Sequence, residues 1–211
     1  MPIPWDDDAP GSLATIGTNV RALGQDLLAQ ARGRANPSLA LAQEWHRSIY
    51  RGVPLPVPYY AGEFRDSDAR FPHLIGYNVT VLNRPGVDSS NVPAQLAAFE
   101  QAVRTVSARL DGAIAPGSPP VSGPELAAVI EFAALAHGEW VRIHPFANGN
   151  GRTARCWANF VALRYGLPAF VTIKPRPADL MYAQAAHSSM AGDHALTVRL
   201  FAGMLQLAVR P

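Results

Sequence analysis

Apolar residues recur at intervals of three and four along most of this chain, and that spacing commits it to helices. Leu13, Ile16, Val20, Leu23, Leu27 and Leu28 form one such stripe behind a possible Ser12 cap, and a second helix is expected after Pro37. Periodicity returns from Val92 to about Leu110. It breaks in the Pro/Gly/Ser-rich stretch Ala115 to Pro124, then resumes through Leu126, Val129, Ile130, Ala133, Trp140 and Val141. Further helices are expected over about Asn150–Tyr165, stopped by Gly166 and Pro168, and over Ala178–Ala191 and His194–Val209. Val53 to Pro58 holds three prolines and reads as an extended connection. The alternation from Leu74 to Val81, ending at a Pro85-Gly86 turn, is the one convincing strand region. The expected fold is mainly α, a helical bundle with one small β element. With 211 residues and 48% apolar content, a single compact domain with a substantial core is the expectation.

Charge and cysteine usage narrow the function classes. A net charge of +2 with scattered cations offers no basic stripe for successive phosphates, so nucleic acid is not an expected partner. Cys156 is the only cysteine and cannot form an internal disulfide, which fits a reducing cytoplasm. Met1 to Pro10 carries the acidic run Asp6-Asp7-Asp8 where a secretory signal would be basic and then apolar. That run is expected to be a solvated, mobile terminus. No window approaches a membrane span, so no membrane partner is expected.

Chemistry concentrates in His144-Pro145-Phe146-Ala147-Asn148-Gly149-Asn150-Gly151-Arg152-Thr153-Ala154-Arg155. Gly149 and Gly151 weaken a helix at the point where one starts, and a ligand approaching bare backbone accounts for both. Free N–H groups at a helix N-terminus form an anion site. Arg152 and Arg155 oppose the helix dipole there, so they call for an anion of their own, and their spacing puts both guanidinium groups on one face. His144 is placed as a general base for an attacking hydroxyl. The plain structural alternative is a turn at His144-Pro145 with glycines that merely cap preceding structure.

The segment resembles the signature of the Fic family, His-x-Phe-x-(Asp/Glu)-Gly-Asn-Gly-Arg-x-x-Arg, and departs from it only at Asn148. Gly62-Glu63-Phe64-Arg65 with the strand around Ile75 to Val81 resembles the family's β-hairpin flap, and Val92-Pro93-Ala94-Gln95-Leu96 the start of the helix after it. The resemblance implies one Fic domain over 1–211, with a core at about 43–205 and an N-terminal helical extension at about 12–32. It implies a protein adenylyltransferase that uses ATP and Mg²⁺. His144 would deprotonate a Ser, Thr or Tyr hydroxyl of a target protein, which attacks the α-phosphate. Gly149, Asn150 and Gly151 would hold the α- and β-phosphates, Arg152 the β-phosphate and Arg155 the γ-phosphate, with Phe146 anchoring the loop. Ile75, Gly76, Tyr77 and Asn78 would lie in the flap that aligns the target as an added strand. Asn148 stands where the family has a Mg²⁺-binding carboxylate; an amide can still ligate the cation but brings no charge. A non-catalytic nucleotide-binding module, or transfer of another phosphate-containing group such as phosphocholine, is the alternative. Gly151 favours AMP transfer over the phosphorylation performed by the Doc-like branch, which has lysine there.

The family's inhibitory string (Ser/Thr)-x-x-x-Glu-(Gly/Asn) is missing. Glu44 comes nearest, but Ala40 and Trp45 replace its neighbours. Either a small antitoxin-like protein supplies a glutamate to Arg155 in trans, or the brake is absent. His137 reads as a hydrogen-bonded core residue, and His46, His73, His187 and His194 lack metal-ligand spacing. Cys156, Trp140 and Trp157 read as core.

Overall fold

The computed structural model describes residues 1–7, 11–81 and 83–210; Asp8 of the acidic run lies outside them. Helices α1 (Ser12–Arg32), α2 (Leu39–Ile49), α3 (Val92–Ala113), α4 (Gly123–Ile143), α5 (Asn150–Arg164), α6 (Leu180–Ser189) and α7 (Ala195–Ala208) make up the fold, with a two-stranded antiparallel hairpin, β1 (Thr80–Val81) and β2 (Arg84–Pro85). Every expected helix is present within a few residues of its expected bounds. Ser12 opens α1 as its first residue; Gly11 occupies the cap position.

At the centre, α4 and α5 pack on each other and the remaining helices surround them. In α5 every residue except Gly151, Arg152 and Leu163 is buried. Ala154, Ala158 and Ala162 let neighbouring backbones approach, and a helix with no wholly polar face belongs inside a core. Trp157 packs edge-on against Trp45 and Phe99 at ring-centroid distances of 4.9 and 5.3 Å, and Trp140 lies 5.8 Å away. These aromatic faces fix the depth at which α5 sits, and so the place where its N-terminus emerges.

Helix α4 starts where Ser122 accepts a bond from the Glu125 N–H, with Pro124 in the first turn. It stops at His144, which turns left-handed (φ 54°) ahead of Pro145, a residue unable to continue the helix.

Two expectations fail. Residues 74–79 form turns and irregular chain, and only two residues on each side pair, Thr80 with Pro85 and Val81 with Arg84. The Tyr77 carbonyl is taken by the Arg65 side chain, and Pro85 lacks the donor a longer ladder would need. The N-terminus is not solvated throughout: Asp7 is 4% exposed. Trp5 draws it in, packing on Tyr50 and Tyr60 at 4.6 and 5.8 Å, while the Ile3 N–H and carbonyl both bond the Tyr60 hydroxyl.

Burial holds His46 and His137 far below the ordinary imidazole value of 6.5, at about 3 in each case. The unfolded chain therefore takes up protons below pH 6.5 that the folded chain refuses until about pH 3. Each histidine's stabilising contribution is complete above pH 6.5 and is lost progressively as pH falls through that window, by up to about 1.4 kcal/mol per pH unit. Thermal melting at pH 7, 6 and 5 checks this, with a falling midpoint expected and a flat one contradicting it.

Candidate active site

The loop between α4 and α5 is held from beneath by one buried guanidinium. Arg65 has no exposed surface and donates from Nε to the His144 carbonyl (2.8 Å), from Nη1 to Tyr77 (2.7 Å), and from Nη2 to Val87 (2.9 Å) and Ile143 (3.0 Å). Its backbone N–H reaches the Pro145 carbonyl at 2.8 Å. Burial pulls its pKa down to about 10, so it stays charged. The loop and the chain on both sides of the hairpin thus share one clamp.

Asn150 closes the loop internally. Its Oδ1 accepts from the Phe146 N–H (2.8 Å) and its Nδ2 donates to the Phe146 carbonyl (2.9 Å). The Asn150 side chain is therefore spent on the loop, and its backbone is left to face the cavity. Phe146 is buried, stacked on His46 (3.8 Å) and Phe64 (4.8 Å). His46 takes the Gly62 N–H on Nδ1 (3.0 Å), which makes Nε2 the donor to the Asn148 carbonyl (2.9 Å). Gly149 is left-handed (φ 77°), and a Cβ there would come within 2.6 Å of the Tyr50 hydroxyl and 2.8 Å of His46 Nε2. Glycine is required at this position by packing as well as by backbone geometry.

A cavity of about 580 Å³ opens over the N-terminus of α5. His144, Asn148, Gly149, Asn150, Gly151, Arg152 and Arg155 all line it, so the structure brings the expected residues together. Lys174 and Arg176 add two cations. The first-turn N–H groups of Asn150 and Gly151 have no carbonyl within the helix to bond. Nδ1 of His144 donates to the Val141 carbonyl (2.9 Å), which leaves Nε2 as the nitrogen able to accept a proton. Burial lowers the pKa of His144 to about 4, with Arg65 adding to the shift. Arg155 is gripped from behind, Nε and Nη2 on the Ile173 carbonyl (3.0 and 2.8 Å) and Nη1 on the Tyr182 hydroxyl (3.3 Å). Tyr182 in turn pairs with His137 Nε2 at 2.9 Å, so His137 is the buried, hydrogen-bonded residue expected.

Ile75, Gly76, Tyr77 and Asn78 lie ahead of the hairpin. Tyr77 packs on Tyr60 (5.9 Å), and Asn78 accepts the Ser89 N–H (2.8 Å). From the hairpin itself, Val81 lines the cavity, and Arg84 Nε donates to His187 Nε2 of α6 at 2.7 Å. Tyr50 and Tyr182, and the part that Asp7 and His46 play in the site, escaped the sequence reading. Their hydrogen-bond partners lie 16 to 145 residues away, and only the Asp6-Asp7-Asp8 run gave any hint of a carboxylate. Asp7 Oδ2 accepts from Arg152 Nη1 and from the Tyr50 hydroxyl, and among the described residues Asp7 is the one acidic residue lining the cavity. No cluster of three or more His, Cys, Asp or Glu able to hold a metal occurs among the described residues. Burial raises the Cys156 thiol to about 12, as befits a packing residue.

The helical frame thus presents a helix N-terminus, paired arginines and a histidine in one cavity, donors that an anionic group would satisfy. A sequence model described as the Fic/DOC family matches residues 36–162, and the chain belongs to that family. A protein adenylyltransferase Fic from Nematostella vectensis is 52% identical over 48 residues, 23% of this chain and 11% of that protein. A protein adenylyltransferase fic-1 from Caenorhabditis elegans is 42% identical over 64 residues, 30% of this chain and 12% of that one. The matched stretches thus cover about an eighth or less of those relatives. Among solved structures, Fic-1 from C. elegans superposes with TM-score 0.61 at 24% identity, over 99% of this chain and 52% of that one. A Fic domain containing signaling protein from Bacteroides thetaiotaomicron superposes with TM-score 0.58 at 19% identity, over 92% and 65%. These likenesses establish the fold. No helix among the described residues is long and apolar enough to cross a membrane.

Arg65→Met removes four donated bonds and leaves four carbonyls short of a partner inside the protein. A loss of about 3 kcal/mol or more is expected in denaturant unfolding, and Arg65→Lys recovers little because an ammonium cannot span the same acceptors.

Proposed function

We propose that this chain is a protein adenylyltransferase that moves AMP from ATP to a Ser, Thr or Tyr hydroxyl of a target protein. The observation that carries the reading is the fixed tautomer of His144: with Nδ1 committed to Val141, Nε2 is the base, beside the bare N–H groups of α5. The target hydroxyl gives its proton to Nε2 and its oxygen bonds to the α-phosphorus. The bond from that phosphorus to the bridging oxygen breaks, and pyrophosphate leaves with the electron pair. Asn150 and Gly151 N–H groups and Arg152 meet the α- and β-phosphates, and Arg155, braced by Ile173 and Tyr182, meets the γ-phosphate. Mg²⁺ bound with the nucleotide would draw charge from the phosphates. The donor set fits a cation that arrives with phosphates and finds few protein ligands, since Asn148 Oδ1 accepts the Gly149 N–H (2.7 Å).

The reading extends to a single Fic unit over 1–211. The family match begins at residue 36, but α1 packs directly on α5. A cytoplasmic setting belongs to the same proposal, as does a small antitoxin-like partner acting at Arg155. Glu44 does not line the cavity and bonds Gln30 instead, so it is no candidate for that role.

Incubation with Mg²⁺ and ATP labelled at the α-phosphate, followed by a search for label on the protein and in host lysate, is the test. His144→Ala should lower labelling about 100-fold or more. Equal labelling by both proteins would sink the proposal. Absence of label in a preparation that binds ATP would favour the binding-module reading, which the uncharged Asn148 supports.

The labelling rate should also stay level between pH 6 and 8. With a pKa near 4, His144 is neutral across that range and loses its base function only as pH falls towards 4. An unshifted imidazole would lose about threefold in rate between pH 7 and pH 6.

A further inference from the structure

Two departures from expectation meet at one bond. Asn148 lacks the charge that the position calls for, and its Nδ2 donates to the Trp5 carbonyl at 3.0 Å. Its orientation is settled from both ends, because the Gly149 N–H requires an acceptor and the Trp5 carbonyl requires a donor. A carboxylate at 148 has no donor to offer Trp5. The amide that removes a charge from the motif therefore holds the segment that carries another carboxylate to the site, two residues past Trp5.

We propose that Asp7 replaces residue 148 as the carboxylate ligand of the divalent cation that arrives with the nucleotide. The proposal rests on the nucleotide reading above. Asp7 is buried and lines the cavity, the one acidic lining residue among the described residues. Both of its contacts, with Arg152 and with Tyr50, fall on Oδ2, so Oδ1 takes part in neither. A hard cation bound through phosphates takes one or two carboxylate oxygens from the protein and completes its shell with water. Loading is then an exchange of partners. Arg152 passes from Asp7 to a phosphate, Asp7 passes from Arg152 to the cation, and neither charge is left alone. Trp5, packed on Tyr50 and carried by Asn148, keeps the carboxylate in reach throughout.

The test compares native protein, Asp7→Asn and the double variant Asp7→Asn/Asn148→Asp. ATP affinity is measured by calorimetry with EDTA and with Mg²⁺, and Mn²⁺ binding in the presence of ATP is followed by electron paramagnetic resonance. In the native protein the cation should tighten ATP binding. Asp7→Asn should lose about tenfold or more of the cation-dependent affinity while binding metal-free ATP at least as well. The double variant should regain the cation dependence, which a merely structural loss at Asp7 would not permit, since Asn148→Asp also removes the Trp5 bond. Unchanged cation dependence in Asp7→Asn overturns the proposal. So does an equal gain in affinity with and without cation, which would make Asp7 a plug on Arg152. If the native protein binds no ATP in either condition, the nucleotide reading falls and takes this one with it.

Discussion

The geometry of the site depends on a charge placed where charges are costly. Arg65 is fully buried, and a guanidinium is tolerated there because backbone carbonyls surround it. Those carbonyls come from the end of α4, from His144, and from the chain before and after the hairpin. Three stretches that share no regular ladder are thereby fixed to one rigid planar group. The hairpin can be as short as two residues a side because its place is set at its base. The left-handed turn of His144 is held by the same donors, so a strained backbone at the candidate base rests on a non-catalytic side chain.

Much of the fold was legible in the sequence because helices announce themselves locally. Leu13 to Leu28 and Leu126 to Val141 carry a period that tertiary contacts only had to respect. The strand was overextended for the opposite reason. The alternation from Leu74 to Val81 is genuine, but whether such a stretch pairs depends on acceptors elsewhere. Here Tyr77 and Val87 give their carbonyls to Arg65. Nothing within the stretch records that commitment.

The site divides the same way. His144, Arg152 and Arg155 stand in one contiguous segment, and physical arguments about glycine and helix dipoles locate them without any fold. Their supports do not. Tyr50 lies 102 residues from Arg152, His46 the same distance from Asn148, and Asp7 145 residues from Arg152. Asn150 shows a subtler limit: its place in the motif was evident, but its side chain turned back to Phe146, which only the folded loop reveals.

Lys174, the chain's only lysine, lines the cavity. Apart from the amino terminus, the polypeptide therefore has a single primary amine, and it stands beside the arginines. Reagents that modify amines, which scatter over the surface of most proteins, have here essentially one internal address. Any tag, crosslink or isotope introduced through that nitrogen reports on the cavity and on nothing else in the fold.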